Sequence, residues 1–173
     1  MLYVMRKNEF EAMFRIMEDS FPSDEYRPFE EQRFLLDDPR YCVYVNRDAD
    51  GGDVNAFLAV WHFDGFAFVE HFAVRADARN RGLGAVMLCE LERLLQCRLC
   101  LEVELPSTPI ARRRIAFYER AGFTFHDFDY TQPPISKGKH EVPLRLMTTG
   151  GPLSFEQLTE IKTILYREVY RVG

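Results

Sequence analysis

The chain has 173 residues, enough for one domain with a hydrophobic core of its own. Hydrophobic residues make up 47% of it and charged residues 28%, which are ordinary proportions for a globular protein and argue against disorder. The net charge of −5 at pH 7 argues against nucleic acid as the partner, because phosphate binding needs a basic surface. It is compatible with a cationic substrate such as an amine.

The sequence has no pattern typical of a membrane span, a signal peptide or a metal site. No segment approaches the roughly 20 apolar residues of a membrane span, and the N-terminus lacks the apolar core of a signal peptide. We therefore expect a cytoplasmic protein with no membrane partner and with reduced cysteines. Cys97 and Cys100 form a C-x-x-C pair, but with no second pair they are predicted to be buried structural thiols. No set of ligands has convincing metal spacing, so no metal is predicted.

The first half of the chain predicts a strand, two helices and three further strands. Residues 2–6 alternate as a strand does, and apolar residues at helical spacing follow over 8–21, with Asn8 as the N-cap. A short second helix is predicted at 28–36. Three strands then follow, at 41–46, 54–63 and 65–74. A turn rich in Asp and Gly at 47–53 joins the first two of these strands, and the last two form a hairpin.

The second half predicts alternating helices and strands. A helix at 85–96, a strand at 98–105 and a helix at 109–121 are followed by strands at 123–130 and 141–147. The last segment is an amphipathic helix, for which Ser154 and Gln157 match a capping box. The order β-α-α-β-β-β-α-β-α-β-β-α indicates an α/β fold with a mixed sheet.

The stretch RNRGLG at residues 79–84 connects an apolar strand to a helix. Glycines let the backbone approach a ligand closely, and the first N–H groups of a helix have no partners within it, so such a turn can bind a pyrophosphate. Neither G-x-G-x-x-G nor G-x-x-x-x-G-K-[ST] is present. By itself the turn is as consistent with a structural connection as with a phosphate site.

A second stretch, AFYERAGF at residues 116–123, changes that balance. Together with HFAVRADARNRGLGAVML at residues 71–88, in this order and at this separation, it resembles the GNAT superfamily of acyl-CoA-dependent N-acetyltransferases. The resemblance implies about seven mostly antiparallel strands flanked by helices, with a splay between the fourth and fifth strands. It also implies a single domain over 1–173, with its core at 1–148 and an extra C-terminal helix at 151–173.

The resemblance further implies where acetyl-CoA binds as co-substrate. Backbone groups of the fourth strand would bind the pantetheine arm, here at Phe72, Ala73 and Val74. The turn would bind the pyrophosphate, with Arg79, Asn80, Arg81, Gly82, Leu83 and Gly84. Tyr118 would lie near the thioester sulfur. Ala111 stands where the family often has an Asn, so no cofactor contact is predicted from that side chain.

The implied reaction is direct attack of an amine on the thioester of acetyl-CoA, which needs a proton acceptor and a proton donor. Tyr118 is the predicted acid, with a packed core tyrosine as the alternative. Glu70 is the predicted base, because burial in a strand would raise its pKa; a salt bridge or a substrate-binding role are its alternatives. Strict alternation would place His71 on the face opposite Glu70, as a structural histidine.

Three other carboxylates are candidates for binding the acceptor. Glu102 and Glu104 share one face of their strand, and Glu25 lies in a loop between the first helices. The predicted acceptor is the primary amine of a small molecule. A protein N-terminus or lysine, and a non-catalytic acyl-CoA-binding module, are the alternative functions. The C-terminal helix is predicted either to cap the sheet or to build a homodimer.

Overall fold

The computed structural model describes residues 1–48 and 52–172, and within them each predicted helix and strand is present in the predicted order. Residues 49–51 of the predicted turn, and residue 173, lie outside the described part. Contacts divide the chain into two compact units, Met1–Leu99 and Cys100–Gly173. The single domain and the splay between the fourth and fifth strands stay predictions.

The first unit contains a run of antiparallel strands whose neighbours are also neighbours in sequence. These are β1 (Tyr3–Val4), β2 (Tyr41–Arg47), β3 (Val54–Phe63) and β4 (Phe66–Val74). The first eight residues of β3 are all buried, which accounts for its nearly continuous apolar sequence. Gly65, with a φ of 80°, makes the left-handed turn between β3 and β4.

Three helices belong to the same unit. They are α1 (Phe10–Ser20), α2 (Phe29–Phe34) and α3 (Leu83–Leu95). The apolar face of α1 is buried and contacts β3 and β4. The prediction of Asn8 as its N-cap is wrong, because a 3₁₀ turn at Lys7–Glu9 precedes the helix and Glu9 is the N-cap. The Glu9 carboxylate accepts the N–H of Arg6 at 2.6 Å, so the chain already turns before Asn8.

The strand β4 carries a β-bulge at Glu70. Its register with β3 passes from Ala59↔His71 to Val60↔Val69, which leaves Glu70 without a partner in β3. A bulge interrupts the alternation of side chains between the two faces of a strand. The prediction that Glu70 and His71 lie on opposite faces is therefore wrong, and their side chains approach each other to 3.6 Å.

The second unit is built around three antiparallel strands with β7 paired to both of the others. Its elements are β5 (Arg98–Glu104), α4 (Pro109–Arg120), β6 (Thr124–Gln132), β7 (Val142–Thr148) and α5 (Phe155–Ile164). Thr108 caps α4, because its hydroxyl accepts the N–H of Ala111 at 3.1 Å. Both α4 and α5 contact β6.

The C-terminal helix begins as predicted and ends differently. Ser154 and Gln157 form the capping box, with bonds of 2.9 and 3.3 Å between side chain and backbone in each direction. After α5 the chain continues as a π-helical turn at Leu165–Val169. The N–H of Tyr170 donates to the carbonyl of Leu165 at 3.1 Å, five residues back rather than four.

Across residues 1–48 and 52–172, every helix is too short or too polar to cross a membrane.

The four cysteines are free thiols. Cys100 is buried, whereas Cys89 is exposed and Cys42 and Cys97 are half-buried. The prediction of buried thiols thus holds for Cys100 but not for Cys97, because Cys97 lies in the turn between α3 and β5.

Candidate functional site

The turn at residues 79–84 leads from β4 into α3 with a left-handed backbone. Asn80 and Gly82 have φ values of 62° and 76°, and Gly82 is the N-cap of the helix. A Cβ on Gly82 would meet nothing within 4 Å, so glycine is favoured there by its backbone conformation rather than by crowding. The first N–H groups of α3 have no acceptor within the helix, and this is the feature that lets a helix N-terminus bind an anion.

Two exposed arginines precede this helix start. Arg79 donates from Nε to the carbonyl of Val74 at 2.8 Å, which ties the turn to the end of β4, and Arg81 is exposed. Guanidinium groups and oriented N–H groups are the donors that suit a pyrophosphate. The predicted pantetheine residues, Phe72 to Val74, end β4 and pair with Ala56 to Leu58 of β3; a 3₁₀ turn at Ala76–Ala78 separates them from the glycine turn. Their contact with acetyl-CoA stays a prediction.

Glu70 lies in a buried ion pair with Arg27. The guanidinium Nη1 of Arg27 is 2.8 Å from Glu70 Oε1, and the side chains are 6% and 1% exposed. Burial acts to raise the pKa of Glu70, but the charge and hydrogen bond of Arg27, with the nearby imidazole of His71, outweigh it and lower the pKa to about 2. The predicted upward pKa shift is therefore wrong, and the salt bridge is the alternative that the structure contains.

His71 connects β4 to the loop between α1 and α2. Its Nε2 is 2.7 Å from the backbone carbonyl of Glu25, and because a carbonyl only accepts, Nε2 is the donor. The ring of Phe21 packs against the imidazole at 5.1 Å between centroids. His71 is thus structural, as predicted. Of the predicted residues in this unit, Glu70 and Glu25 are brought together through Arg27 and His71.

Tyr118 is buried on α4 in the second unit, with 8% exposure. Its ring contacts Phe117 and Phe123 at 5.2 and 5.7 Å between centroids. Burial raises the pKa of the phenol to about 12, and the nearby charges of Arg114 and Glu104 have smaller and opposing effects. The hydroxyl therefore keeps its proton at neutral pH, which a proton donor requires.

The two carboxylates of β5 have different partners. Glu104 forms a close, exposed ion pair with Arg114 of α4. Glu102 accepts hydrogen bonds from the hydroxyls of Tyr130 and Tyr170. Sequence reasoning did not single out these two tyrosines, since Tyr130 lies in an ordinary strand pattern and Tyr170 lies off the apolar stripe of the last helix.

In the described part of the chain, no three His, Cys, Asp or Glu side chains are placed to share a metal ion.

Comparisons with known proteins agree on one family. Residues 10–123 match the acetyltransferase (GNAT) family. A Bacteroides thetaiotaomicron structure assigned to the GNAT family of acetyltransferases is 33% identical, with a TM-score of 0.91, over 100% of this chain and 99% of that one. No curated protein matches the sequence.

Two more distant structures share the fold. The ribosomal-protein-S18-alanine N-acetyltransferase from Escherichia coli is 21% identical, with a TM-score of 0.62, over 90% of this chain and 99% of that one. A variant of spermidine N-acetyltransferase from Vibrio cholerae is 13% identical, with a TM-score of 0.63, over 86% and 94%. At these identities the likeness concerns the fold alone. The mixed α/β fold class predicted from the sequence is confirmed.

Proposed function

Because this chain belongs to the acetyltransferase (GNAT) family, we propose that it transfers an acetyl group from acetyl-CoA to the primary amine of a small molecule. The family makes the chain an N-acetyltransferase; the acceptor and the mechanism are the proposal. The neutral amine nitrogen attacks the thioester carbonyl, the C–N bond forms, and the C–S bond breaks. The amine gives up a proton and coenzyme A leaves as the thiol. Holding both reactants in one complex supplies much of the rate.

The observation that carries the proposal is the left-handed turn at Gly82, which opens α3 directly after two exposed arginines, Arg79 and Arg81. Calorimetric titration with acetyl-CoA tests it. We expect Arg81→Ala to weaken binding about tenfold, since a charge-assisted hydrogen bond to phosphate contributes about that much. Arg93→Ala, at the other end of α3, is the matched control and should leave the affinity unchanged. Failure of the folded wild-type protein to bind acetyl-CoA would exclude the proposal.

Tyr118 is the proposed proton donor to the leaving thiolate. This role is supported by the burial of the Tyr118 phenol, which raises its pKa to about 12 and keeps it neutral. Glu70 has a weaker claim as proton acceptor, because a carboxylate with a pKa of about 2, paired with Arg27, is a poor base. For Glu70 we favour a positioning role, in which Arg27 and His71 hold residues 21–27 against β4.

The proposed acceptor carries positive charge. The net charge of −5 and the carboxylates of Glu25, Glu102 and Glu104 favour a cationic amine. A protein N-terminus is the second candidate, suggested by the fold shared with the Escherichia coli enzyme. A coenzyme A release assay with spermidine and with an alanine-first peptide distinguishes the two. Binding of acetyl-CoA without turnover of any amine would instead support a non-catalytic module.

The C-terminal helix is the proposed site of a homodimer contact. Phe155, at its first position, is 71% exposed, and large exposed aromatic side chains are typical of interfaces. Mass measurement in solution tests this, with Phe155→Ser as the variant expected to shift the mass towards the monomer. A cytoplasmic location stays an expectation from the sequence.

A further inference from the structure

A groove of about 970 Å³ in the second unit lies between β6 and the C-terminal segment that begins with α5. Its walls contain three aromatic side chains, Phe128, Phe155 and Tyr166. Sites for small molecules typically enclose about 300–1,000 Å³ and combine mostly apolar walls with a few polar groups. None of the described residues that line the groove belongs to the turn at 79–84, and Tyr118 is not among them. The groove is therefore a candidate for a second site.

The groove forms where an irregular strand lies beside a helix. From His126 to Tyr130, β6 advances four residues while its partner β7 advances two, and Phe128 lies within this interruption of the ladder. On the other wall, Phe155 and Tyr166 are eleven residues apart. Eleven residues make about three helical turns, so these two side chains lie on the same side of the C-terminal segment. The three aromatic walls thus follow from local backbone geometry on both sides.

Contacts within the second unit hold these walls in place. The ring of Phe155 packs edge-on against Phe128 at 5.5 Å between centroids, and the ring of Tyr166 packs edge-on against Tyr130 at 5.8 Å. The hydroxyl of Tyr166 also donates to the backbone carbonyl of Thr131. A ligand would meet walls that are already ordered, which reduces the entropy lost on binding.

Most of the charges that line the groove have partners within the chain. Asp127 and Asp129 lie 3.4 and 3.2 Å from the guanidinium of Arg145, and both carboxylates are otherwise open to water. Arg167 pairs with Glu168 at 2.6 Å. These groups are neutralised or solvated without a ligand.

Lys162 differs from these groups. Its ammonium lies 5.7 and 5.3 Å from the ring centroids of Phe128 and Tyr166, and it donates to the backbone carbonyl of Asp129 at 3.4 Å. Within the described part of the chain, no carboxylate oxygen lies within 4 Å of this half-buried ammonium. An ammonium has three N–H donors, so donors remain for a ligand. Lys162 therefore places an unneutralised positive charge on an aromatic wall.

These features restrict the chemistry of the ligand. A carboxylate matches the ammonium, because the hydrogen bond between them is charge-assisted. An aromatic ring matches the walls, because aromatic pairs attract each other in edge-on and offset arrangements. An aromatic cation would compete with Lys162 for the same ring faces, and a phosphate would bring a second negative charge near Asp127 and Asp129.

We propose that this groove binds a small aromatic carboxylate, with the carboxylate on Lys162 and the ring against Phe155 and Tyr166. The site goes beyond the proposed acetyl transfer and does not depend on it. Because β6 and the C-terminal segment both contribute to the groove, a bound ligand joins the two and stabilises the folded state.

Calorimetric titration with phenylbutyrate, phenylbutanol and phenylbutylamine tests the proposal. We expect the wild-type protein to bind phenylbutyrate at least about tenfold more tightly than the other two, because only the carboxylate forms a charge-assisted bond with Lys162. Lys162→Met keeps the length of the side chain and removes its charge. It should lower the affinity for phenylbutyrate about tenfold, to that of the alcohol, whereas Lys162→Arg should retain the preference.

Lys137→Met is the matched control, because Lys137 is an exposed lysine in the loop after β6 and does not line the groove. Phe155→Ala should weaken phenylbutyrate and phenylbutanol by the same factor, since it removes part of the wall that both contact. The titrations are run at a protein concentration where the mass in solution is that of the monomer, because Phe155 is also the proposed dimer contact.

Thermal unfolding of each variant separates loss of fold from loss of the site. Equal affinities for the three probes, or an unchanged affinity for phenylbutyrate in folded Lys162→Met, would overturn the inference and leave the proposed acetyl transfer standing. Failure to bind acetyl-CoA, with phenylbutyrate bound through Lys162, would exclude the proposed function and support the groove as a site of its own.

Discussion

At the scale of single residues, Arg27 and Glu70 form a buried ion pair in the first unit. Both side chains are almost fully buried, and His71 Nδ1 lies 3.6 Å from the second carboxylate oxygen. Removing one member of such a pair leaves an uncompensated buried charge, which typically costs about 3–5 kcal/mol. The pair therefore fixes where residues 21–27 lie, whatever it contributes to the chemistry.

The first prediction concerns the pH dependence of stability that Glu70 causes. Its pKa falls from 4.5 to about 2 on folding, so its stabilising contribution is complete above pH 4.5 and is lost as the pH falls towards 2. We expect the wild-type protein to exceed Glu70→Gln by roughly 3 kcal/mol in free energy of unfolding at pH 7. Urea unfolding between pH 7 and pH 2 measures this difference, which should shrink across that window.

Two controls define the interpretation of this measurement. Arg27→Met should cost a similar amount at pH 7, whereas Arg33→Met removes an exposed arginine of α2 and should be nearly neutral. A difference between wild type and Glu70→Gln that stays constant down to pH 2 would show that Glu70 titrates normally in the folded protein.

The second prediction concerns Tyr118 as proton donor. Tyr118→Phe keeps the ring contacts with Phe117 and Phe123 and removes only the hydroxyl. We expect kcat to fall about 100-fold, as general acid catalysis typically contributes, with the affinity for acetyl-CoA unchanged. Because the pKa is about 12, the wild-type rate should show no loss of activity from Tyr118 below about pH 11.

Steady-state kinetics and calorimetry on the same preparations measure both quantities. Tyr3→Phe alters an exposed tyrosine in β1 and serves as the control. An unchanged kcat in Tyr118→Phe would show that Tyr118 is a packed core tyrosine and not the proton donor.

Among the elements, the start of α3 gives the third prediction. Gly82 and Gly65 both have left-handed φ values, 76° and 80°, and neither has an atom within 4 Å of the place of a Cβ. Alanine at either position should cost about 1 kcal/mol of stability through backbone strain. Only Gly82→Ala should also weaken acetyl-CoA binding, because only Gly82 aims the first N–H groups of a helix.

The two alanine variants form a matched pair for calorimetry and thermal unfolding. Equal losses of affinity in both would mean that general destabilisation, rather than the geometry of the α3 N-terminus, governs binding.

The elements that the sequence predicts well are those with hydrophobic periodicity. The capping box of α5 and the hairpin of β3 and β4 follow from residue types at fixed spacing. The bulge at Glu70 and the π-helical turn before Tyr170 could not be predicted, because each inserts a residue without changing the local composition. The candidate site shows the same division between what could and could not be predicted. Tyr118 and the glycine turn carry a recognisable motif. The low pKa of Glu70 could not be predicted, because it depends on Arg27, 43 residues away in the sequence.

For the whole molecule, the fourth prediction concerns cooperativity. The sequence predicts one domain, although contacts divide the chain at Leu99 into two units. We expect scanning calorimetry to show one unfolding transition with equal calorimetric and van't Hoff enthalpies. Acetyl-CoA at 100 times its Kd should stabilise the folded state by about 2.7 kcal/mol and shift that single transition upwards. Two transitions, with only one moved by acetyl-CoA, would identify two independently folding domains.

The π-helical turn at Leu165–Val169 makes the C-terminal segment sensitive to residue number rather than residue type. Many substitutions in it would preserve the hydrogen-bonded ring, but loss of a single codon would restore α-helical spacing and rotate Tyr170 by about 100°. An in-frame deletion should therefore remove the hydrogen bond from Tyr170 to Glu102 and destabilise the C-terminal segment more than most point mutations in the same turn.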